Sequence, residues 1–431
     1  MRNFTIAAVL TVLSLGQITW AGPYSLGAGD SGNVFDAPVP GFVGPAGDGK
    51  TGGGNYVNPE FLGWASGYQD VVIIYETSWE YTDPSLALGP VTANEFNVVS
   101  LGDLDSDMIA AGWAPGQIIL TFDTPIRNGV GADFAVFENG FYSEWTTGEG
   151  TVVGEIHAEL AYVWVSSNGA DWLEFSSDSL TPQPAPSPYG YGYLTIDPTN
   201  VYNLAGKHAN SHGKSWGTPF DLDEFVGHRD VLAGLIDLQQ IKFVKIVDVP
   251  GSGDCVDGDG DPIYDAWVTW GTGGMDLEAV GVLNELPDFD FDGDVDGDDF
   301  DILCNNLGTS DLHYDLDNDG DADADDVAYL ISNCLQWNSG SQSGYGVAAG
   351  DFNLDGRIDT VDLTILGTYF GSGTKWCQGN ANLDDAVDTV DLTILATNFG
   401  FVATGPSIPE PATILVMGLG AMGLVRRRRG A

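Results

Sequence analysis

Four short segments between residues 288 and 391 carry oxygen-bearing side chains at alternate positions, which is the spacing of a calcium-binding loop. Calcium takes six to eight oxygen ligands, and a loop that supplies them from alternate residues must turn sharply at its sixth position. Glycine makes this turn readily because it reaches a positive φ without a Cβ clash. Gly293, Gly320 and Gly356 occupy the sixth position of the first three segments. The pattern therefore predicts calcium loops.

The predicted calcium ligands lie at loop positions 1, 3, 5, 7, 9 and 12, and position 7 contributes its backbone carbonyl. They are Asp288, Asp290, Asp292, Asp294, Asp296 and Asp299 in the first loop; Asp315, Asp317, Asp319, Asp321, Asp323 and Asp326 in the second; Asp351, Asn353, Asp355, Arg357, Asp359 and Asp362 in the third; and Asn380, Asn382, Asp384, Asp388 and Asp391 in the fourth. The fourth loop has amides at positions 1 and 3 and Asp385 in place of glycine. We expect it to bind calcium most weakly, because it has fewer ligand charges and a costlier turn.

An apolar run at helical spacing follows each loop, as in Leu363, Ile365, Leu366 and Phe370. Each unit therefore reads as one loop and one helix, with aspartate rather than glutamate at position 12. These features resemble the type I dockerin repeat, a calcium-dependent docking module of secreted polysaccharide-degrading bacteria. The resemblance implies small all-α EF-hand-like repeats, Ca²⁺ as cofactor and a cohesin-like partner. The alternative is an acidic, glycine-rich tether that binds no metal.

The third and fourth repeats share one sequence, from Asp359 to Leu366 and from Asp388 to Leu395. In dockerins, loop positions 10 and 11 contact the cohesin. By resemblance the partner-binding residues here are Thr360, Val361, Thr389 and Val390. A duplicated surface would let a partner bind in either of two orientations. The alternative is that the two valines pack inside the repeats.

Composition excludes one class of partner and bounds the fold. The chain has 431 residues, of which 43% are hydrophobic and 18% charged, and this suits two or three globular domains. Its formal charge is −48, and no Lys or Arg occurs between Lys245 and Arg357. Nucleic acid is excluded as a partner because its phosphates would be repelled.

Both ends of the chain carry targeting patterns. Residues 1–21 combine Arg2, an apolar run and Thr19-Trp20-Ala21, which indicates a secretory signal peptide. Residues 407–431 combine Pro409, Glu410 and Pro411 with 14 apolar or small residues and four arginines. That tail resembles the PEP-CTERM sorting signal. The resemblance implies an exported cell-surface or extracellular protein, anchored transiently in the inner membrane until an exosortase-type transpeptidase cuts it.

The segment between the signal peptide and the first loop is rich in short β-branched and aromatic runs. The predicted strands are Val71–Tyr75, Ile118–Phe122, Phe134–Phe137, Tyr162–Val165 and Ile241–Val247. Asn168-Gly169 marks a hairpin. Residues 163–172 resemble the strand, turn and strand of discoidin or galactose-binding jelly rolls. We expect a mainly β, jelly-roll-like sandwich followed by the helical repeats.

The expected organisation has six parts. They are a signal peptide (1–21), a β domain (22–286), a first repeat pair (287–338), a linker (339–349), a second repeat pair (350–402) and the sorting tail (407–431). Four cysteines in an exported chain favour disulfides. Cys304 and Cys334 follow the first two loops and could be bridged, while the state of Cys255 and Cys377 stays open.

Several residues of the β domain could bind metal, sugar or substrate. Glu138, Glu159, Asp276 and Glu278 could form the carboxylate pair of a glycosidase or a structural metal site, although sequence gives no separation between them. The loop from Asp254 to Asp261 is either a calcium site or solvated. His208 and His212 are expected to be exposed loop residues rather than zinc ligands. The tryptophans that could stack on sugars or fill the core are Trp164, Trp172, Trp216, Trp267 and Trp270.

These features favour a non-catalytic protein. The repeats would dock to another protein, and the β domain would bind a glycan or matrix component. One alternative is a polysaccharide-active hydrolase that carries a dockerin. The other is a purely structural envelope or biofilm protein in which the repeats are calcium-rigidified spacers.

Overall fold

The structure is a computed structural model that describes most of the chain between residues 22 and 402. The described residues are 22–25, 36–45, 50–74, 77–92, 94–142, 156–185, 196–208, 210–269, 271, 273–290, 295, 297–330, 348–353, 356–382, 384 and 386–402. The predicted signal peptide, the sorting tail and residues 339–347 of the predicted linker lie outside them. In the described part, no helix is both long enough and apolar enough to cross a bilayer.

Strands dominate the described residues before Leu286. They are β1 (Val39–Pro40), β2 (Phe42–Val43), β3 (Tyr56–Val57), β4 (Gly63–Trp64), β5 (Gly67–Val72), β6 (Val99–Ser100), β7 (Gln117–Ile126), β8 (Phe134–Glu138), β9 (Phe141–Tyr142), β10 (Ile156–His157), β11 (Ala161–Ser166), β12 (Leu173–Glu174), β13 (Asp178–Ser179), β14 (Val201–Tyr202), β15 (Trp216–Phe220), β16 (Ile241–Asp248), β17 (Ser252–Val256), β18 (Pro262–Tyr264) and β19 (Asp276–Val282).

The α-helices of the described residues lie mostly after Leu286. They are α1 (Ser106–Ala110), α2 (Arg229–Leu232), α3 (Gly297–Asn306), α4 (Ala324–Tyr329), α5 (Thr360–Tyr369) and α6 (Thr389–Asn398). Short 3₁₀ segments occur at Trp79–Tyr81, Pro84–Ala87, Pro198–Asn200, Leu222–Phe225 and Trp376–Gln378. The helices α3 to α6 each follow one of the four predicted loops, so the loop-then-helix unit is confirmed.

Two large antiparallel sheets form most of the β domain, and the described residues add four two-stranded sheets. One large sheet has the order β1-β15-β8-β19-β4, with β6 also paired to β19, and the other has the order β12-β11-β16-β7-β5. Side chains of both sheets meet in one buried cluster that includes Val136 and Val280 from the first sheet and Leu120, Val163 and Ile246 from the second. Burial of this apolar surface is the main force that holds the sheets together. The mainly β N-terminal domain with helical repeats after it is confirmed.

Most predicted strands agree with the structure, and one is displaced. The runs at 118–122, 134–137, 162–165 and 241–247 lie in β7, β8, β11 and β16. In β16, buried residues nearly alternate with less buried ones, as expected for a strand whose sheet has one face towards solvent. The strand predicted at 71–75 starts too late in the sequence, because the strand in the structure is Gly67–Val72. The hairpin forms as predicted: Gly169 has a φ of +74°, and the Asn168 Oδ1 accepts a hydrogen bond from Ala170 N at 2.8 Å.

A second hydrophobic cluster runs through all four repeats. It contains Phe300 of α3, Val327 of α4, Leu366 of α5 and Leu395 of α6. Trp376 is fully buried at its centre, with ring centroids 4.7 Å from Phe300 and 5.7 Å from Phe352. The two predicted repeat pairs therefore pack against each other around a common core.

Arg127 joins the β domain to the first repeat pair. Its buried guanidinium donates to the Glu285 carbonyl at 2.8 Å, to the Leu316 carbonyl at 3.0 Å and to the Tyr329 hydroxyl at 3.1 Å. Its charge also lies 4.9 Å from the centroid of the Tyr329 ring, which adds a cation–π contact. Sequence inspection missed this residue, because a single basic residue in an acidic chain belongs to no motif.

Candidate calcium-binding and docking site

The aspartate at loop position 12 closes each loop onto the helix that follows. In the second repeat, the Asp326 Oδ1 accepts hydrogen bonds from Leu316 N at 2.6 Å and from Asp317 N at 3.2 Å, and its Oδ2 accepts one from Asp323 N at 2.6 Å. The equivalent residues Asp299, Asp362 and Asp391 each accept a hydrogen bond from the backbone N–H at position 2, and all four carboxylates are 0% exposed. The short side chain of aspartate is sufficient at position 12, because its oxygens already reach the backbone of the loop.

The residue at position 9 is both a predicted ligand and the N-cap of the helix. Asp359 accepts from Val361 N at 2.7 Å and Asp388 accepts from Val390 N at 2.6 Å. With the position-12 aspartate these residues form capping boxes, which satisfy backbone N–H groups that have no partner inside the helix. The geometry of the loop thus sets the position of the first helical turn.

The position-1 side chain holds the sharp turn at position 6. The Asp315 carboxylate accepts from Asp319 N at 3.1 Å and from Gly320 N at 2.9 Å, and Asp351 accepts from Gly356 N at 2.9 Å. Gly320 has a φ of +109° and Gly356 a φ of +78°. Residues with a Cβ avoid these conformations, so the glycine of the pattern is required.

Two of the loops gather three carboxylates around one point. Oxygen atoms of Asp288, Asp290 and Asp299 lie within 4.8 Å of one another, and so do those of Asp315, Asp317 and Asp326. Hard oxygen donors at this spacing suit calcium. In the second loop, the buried Oδ1 of Asp317 has no hydrogen-bond partner among the described residues. Burial, followed by the charge of Asp326, raises the pKa of Asp317, and a bound cation would relieve both effects.

The remaining predicted ligands are described in part. Asp292, Asp294, Asp296 and Asp355 lie outside the described residues. In the fourth loop the Asn380 amide donates to the Thr374 carbonyl at 3.0 Å, and its buried Oδ1 has no hydrogen-bond partner within the described ranges. That oxygen is available to a cation, although it brings no charge. The donor set of the fourth loop is thus compatible with calcium, and its lower affinity stays a prediction.

Helices α5 and α6 present apolar side chains to solvent at equivalent positions. Val361 and Val390 are each 48% exposed. Phe370 and Phe399 are 47% and 49% exposed, although an apolar run at helical spacing suggests a buried face. Only the residue four positions after position 12, Leu366 or Leu395, is buried in the shared core.

The predicted carboxylate set of the β domain divides into two places. Glu138, Glu159 and Asp276 lie together, and the charge of Asp276 helps to raise the pKa of both glutamates after the dominant effect of burial. Glu278 has other partners: it accepts hydrogen bonds from Thr92 N at 2.8 Å and from Asn210 Nδ2, and burial rather than the charge of another carboxylate raises its pKa.

One of the two histidines is placed differently from the prediction. His208 is buried rather than exposed, with its Nε2 at 3.1 Å from the Asp36 carbonyl oxygen. His212 is exposed as expected, and its ring centroid lies 4.8 Å from that of Phe141. The expectation of an exposed loop residue is therefore wrong for His208. Its burial follows from packing of the 203–215 segment against the residues near Asp36, which the local sequence does not reveal.

The acidic loop of the β domain is a hairpin connection between β17 and β18. Asp257 accepts hydrogen bonds from Asp259 N at 3.1 Å, Asp261 N at 2.9 Å and Ser179 N at 2.8 Å. Backbone N–H groups thus satisfy this carboxylate, and a calcium ion is not needed to hold the loop.

Most of the candidate tryptophans are buried or contact other side chains or the backbone. Trp216 is buried, and the Trp267 indole donates to the Leu104 carbonyl at 2.9 Å. Lys245 lies 4.2 Å from the ring centroid of Trp164 and 4.6 Å from that of Trp172. Trp270 lies outside the described residues.

Among the described residues, Cys255, Cys304 and Cys377 form no disulfide bond. Cys304 is not in a disulfide, so the suggested bridge to Cys334 is not formed, and Cys334 itself lies outside the described residues. Cys255 is likewise a free thiol. Burial raises the pKa of Cys255 to about 11 and that of Cys304 to about 12, so neither thiol is a reactive nucleophile at neutral pH.

Comparison with known proteins agrees with this geometry. The family model for the dockerin type I domain matches residues 313–371, which include the second and third loops with α4 and α5. The family model for the PEP-CTERM protein-sorting motif matches residues 407–429, which indicates an exported protein with a C-terminal sorting signal. No curated protein matches the chain. We conclude that this chain carries type I dockerin repeats followed by a PEP-CTERM sorting motif.

Proposed function

We propose that this chain is an exported, calcium-dependent docking protein whose helices α5 and α6 bind a cohesin-like partner and whose β domain binds a glycan or matrix component. The docking part rests on one observation. Equivalent apolar side chains of α5 and α6 are exposed to the same extent on an otherwise acidic protein. Contiguous exposed apolar surface marks interaction sites. Either helix can therefore offer the same face to a partner.

Calcium has a positioning role in this proposal. Asp359 and Asp388 would bind calcium through the loop, and they also cap the helices that carry Val361 and Val390. Without the cation, the carboxylates of each loop repel one another, by roughly 4 kcal/mol for a pair at 4 Å and an effective dielectric of 20. Loosening of the loop would displace the first turn of the helix and with it the docking residues.

The test uses the mature full chain and a panel of type I cohesin domains, with calcium or with EDTA. Val361→Asp and Val390→Asp are made singly and together, and Val226→Asp, an equally exposed valine of the β domain, is the control. We expect binding only with calcium, a loss of about twofold for each single variant, and no binding for the double variant. Undiminished binding of the double variant, or equal binding in EDTA, would contradict the docking proposal. Calcium-dependent stability without any cohesin binding would favour the spacer alternative.

Glycan binding by the β domain needs an open aromatic surface. Trp79 offers one, since it is 81% exposed in the 3₁₀ segment Trp79–Tyr81. Tryptophan is a large, flat side chain that stacks on sugar rings. On a glycan array, the Trp79→Ala variant should no longer bind the glycans that the mature chain binds. Binding that the substitution leaves unchanged would exclude this surface.

The hydrolase alternative is less well supported. A glycosidase needs two carboxyl groups that a sugar can reach from opposite sides. Glu138 and Glu159 are 0% and 2% exposed, so a sugar in solvent does not reach their carboxyl groups. A hydrolase assay on soluble polysaccharides checks this directly, and activity lost in Glu138→Gln would reverse the conclusion.

Anchoring belongs to the sorting tail. The motif at 407–429 implies recognition by an exosortase-type enzyme, and we propose that the tail holds the chain in the inner membrane until it is cut. Substitution of Pro409, Glu410 and Pro411 by alanine should leave uncut protein in the membrane fraction. Normal release of the variant would count against this step.

A further inference from the structure

Strands from both sheets end in buried acidic residues at one end of the β domain. Glu138 is the last residue of β8 and Asp276 the first of β19, while Asp248 is the last residue of β16. Glu159 lies just before β11, whose Ala161 pairs with Asp248. These four side chains are between 0% and 2% exposed. We call them the acidic end of the β domain.

The backbone fixes one oxygen of two of these carboxylates and leaves the other without a partner. Glu138 Oε2 accepts from Gly140 N at 2.8 Å, and Asp248 Oδ1 accepts from Met275 N at 2.7 Å. Glu138 Oε1 and Asp248 Oδ2 are fully buried and have no hydrogen-bond partner among the residues described. A buried polar atom without a partner costs about 1–3 kcal/mol, and more when it is charged. Val136 and Ile246, two residues earlier on the same strands, lie in the cluster between the sheets, so Glu138 and Asp248 also point into that interior. The charge of Asp276 acts on both carboxyl groups. Two oxygens without partners that face one interior point to a missing ligand.

The charges near Glu138, Glu159 and Asp248 are mostly of one sign. In the described ranges, no Lys or Arg forms an ion pair with Glu138, Glu159 or Asp248. His157 Nε2 lies 3.9 Å from Glu159 Oε2, but burial lowers the pKa of this histidine to about 4, so it is neutral at pH 7. Buried charges are normally paired or bound to a metal.

A small pocket lies next to the acidic end. It has a volume of about 10 Å³ and is lined by Asp103, Thr269 and Gly273 among others. Asp103 is buried, and its charge contributes to raising the pKa values of Glu159 and Asp248. This volume is about that of one water molecule. Among the described residues, groups of three carboxylates within 4.8 Å occur only in the calcium loops. A cation at the acidic end would therefore need water or backbone oxygens as further ligands.

We propose that the acidic end of the β domain binds one divalent cation of the calcium type, with Glu138 and Asp248 as ligands. The ion is separate from those of the repeats, because its ligands come from β8 and β16, one in each sheet. It would therefore tie the two sheets together at this end. Calcium fits the oxygen-only donor set and tolerates the wide, irregular spacing better than magnesium, which demands a near-ideal octahedron.

Calcium counting by equilibrium dialysis of the mature full chain tests the proposal. Glu138→Gln with Asp248→Asn should lower the count by one ion per chain. Glu278→Gln is the control, because hydrogen bonds from Thr92 and Asn210 already satisfy this buried carboxylate and it is not one of the proposed ligands. An equal count in the wild type and the double variant would overturn the proposal.

A second variant decides the question if the double variant does not fold. Alanine at Asp299, Asp326, Asp362 and Asp391 removes the position-12 ligand from every loop. This protein should keep one calcium ion per chain. A loop variant with a folded β domain and no bound calcium would show that the repeats hold all of the metal.

Discussion

Replacement of Asp326 by alanine should open the second repeat. The substitution removes the acceptor for three backbone donors, Leu316 N, Asp317 N and Asp323 N, at 2.6, 3.2 and 2.6 Å. Hydrogen bonds to a charged acceptor contribute roughly 1.5 kcal/mol each at the low end of their range, so the loss is about 4–5 kcal/mol. At about 1.4 kcal/mol per factor of ten, the local opening equilibrium shifts by about a thousandfold.

The assay is native-state hydrogen exchange of the mature chain, followed by mass spectrometry on peptides that cover residues 312–330. In EDTA the variant should exchange up to about a thousandfold faster in these peptides, because the three donors lose their acceptor. With calcium in excess the difference should grow, since an ion at 100 times its dissociation constant adds about 2.7 kcal/mol to the wild type alone.

Asp325→Ala is the matched control. This neighbouring aspartate is exposed and lies in the first turn of the same helix, α4. Its replacement should change exchange by less than about tenfold, since a charge near a helix N-terminus contributes about 0.3–1 kcal/mol. Equal exchange rates in the two variants would refute the argument that position 12 closes the loop.

Three further predictions concern other parts of the chain. Arg127→Met should lower the free energy of unfolding, measured in urea, by about 2–4 kcal/mol, because two carbonyls lose their donor. The control is Arg229→Met, which should change the free energy of unfolding little because the Arg229 side chain is 87% exposed. Burial raises the pKa of Glu285 to about 7, so the folded chain holds this proton more tightly than the unfolded chain. The resulting stability is lost as the pH rises from about 4.5 to about 7. Glu285→Gln should make the free energy of unfolding, measured by urea titration, depend less on pH across this range. Gly320→Ala should weaken calcium binding to the second loop by about tenfold in calorimetric titrations, because no atom lies near the added Cβ and only strain at a φ of +109° opposes it.

Sequence predicted the repeats well because their structure is local. The ligands, the turn glycine and the helix cap lie within 12 consecutive positions, so the spacing of Asp315 to Asp326 fixes the hydrogen bonds that close the loop. The long strands were also predictable, since β7 and β16 contain runs of β-branched and aromatic residues, and burial nearly alternates along β16. The strand at Gly67–Val72 was displaced because it begins with glycine and polar residues, and only its pairing with β7 makes it a strand.

Long-range contacts were the part that sequence could not provide. Glu138 and Asp248 are 110 positions apart, and only the sheet topology brings their ends to one place. Arg127 has no local signal at all, because each of its acceptors is a backbone carbonyl or hydroxyl distant in sequence. His208 was misjudged for the same reason: glycine and polar neighbours suggest an exposed loop, while a distant segment covers it.

The central claim is that calcium organises the repeats into a docking surface. Hydrogen exchange of the mature wild-type chain, with calcium, with magnesium or with EDTA, tests it most directly in the peptides that carry α5 and α6. The account predicts strong protection of residues 359–366 and 388–395 with calcium and loss of that protection with magnesium or EDTA. Equal protection under all three conditions would contradict it.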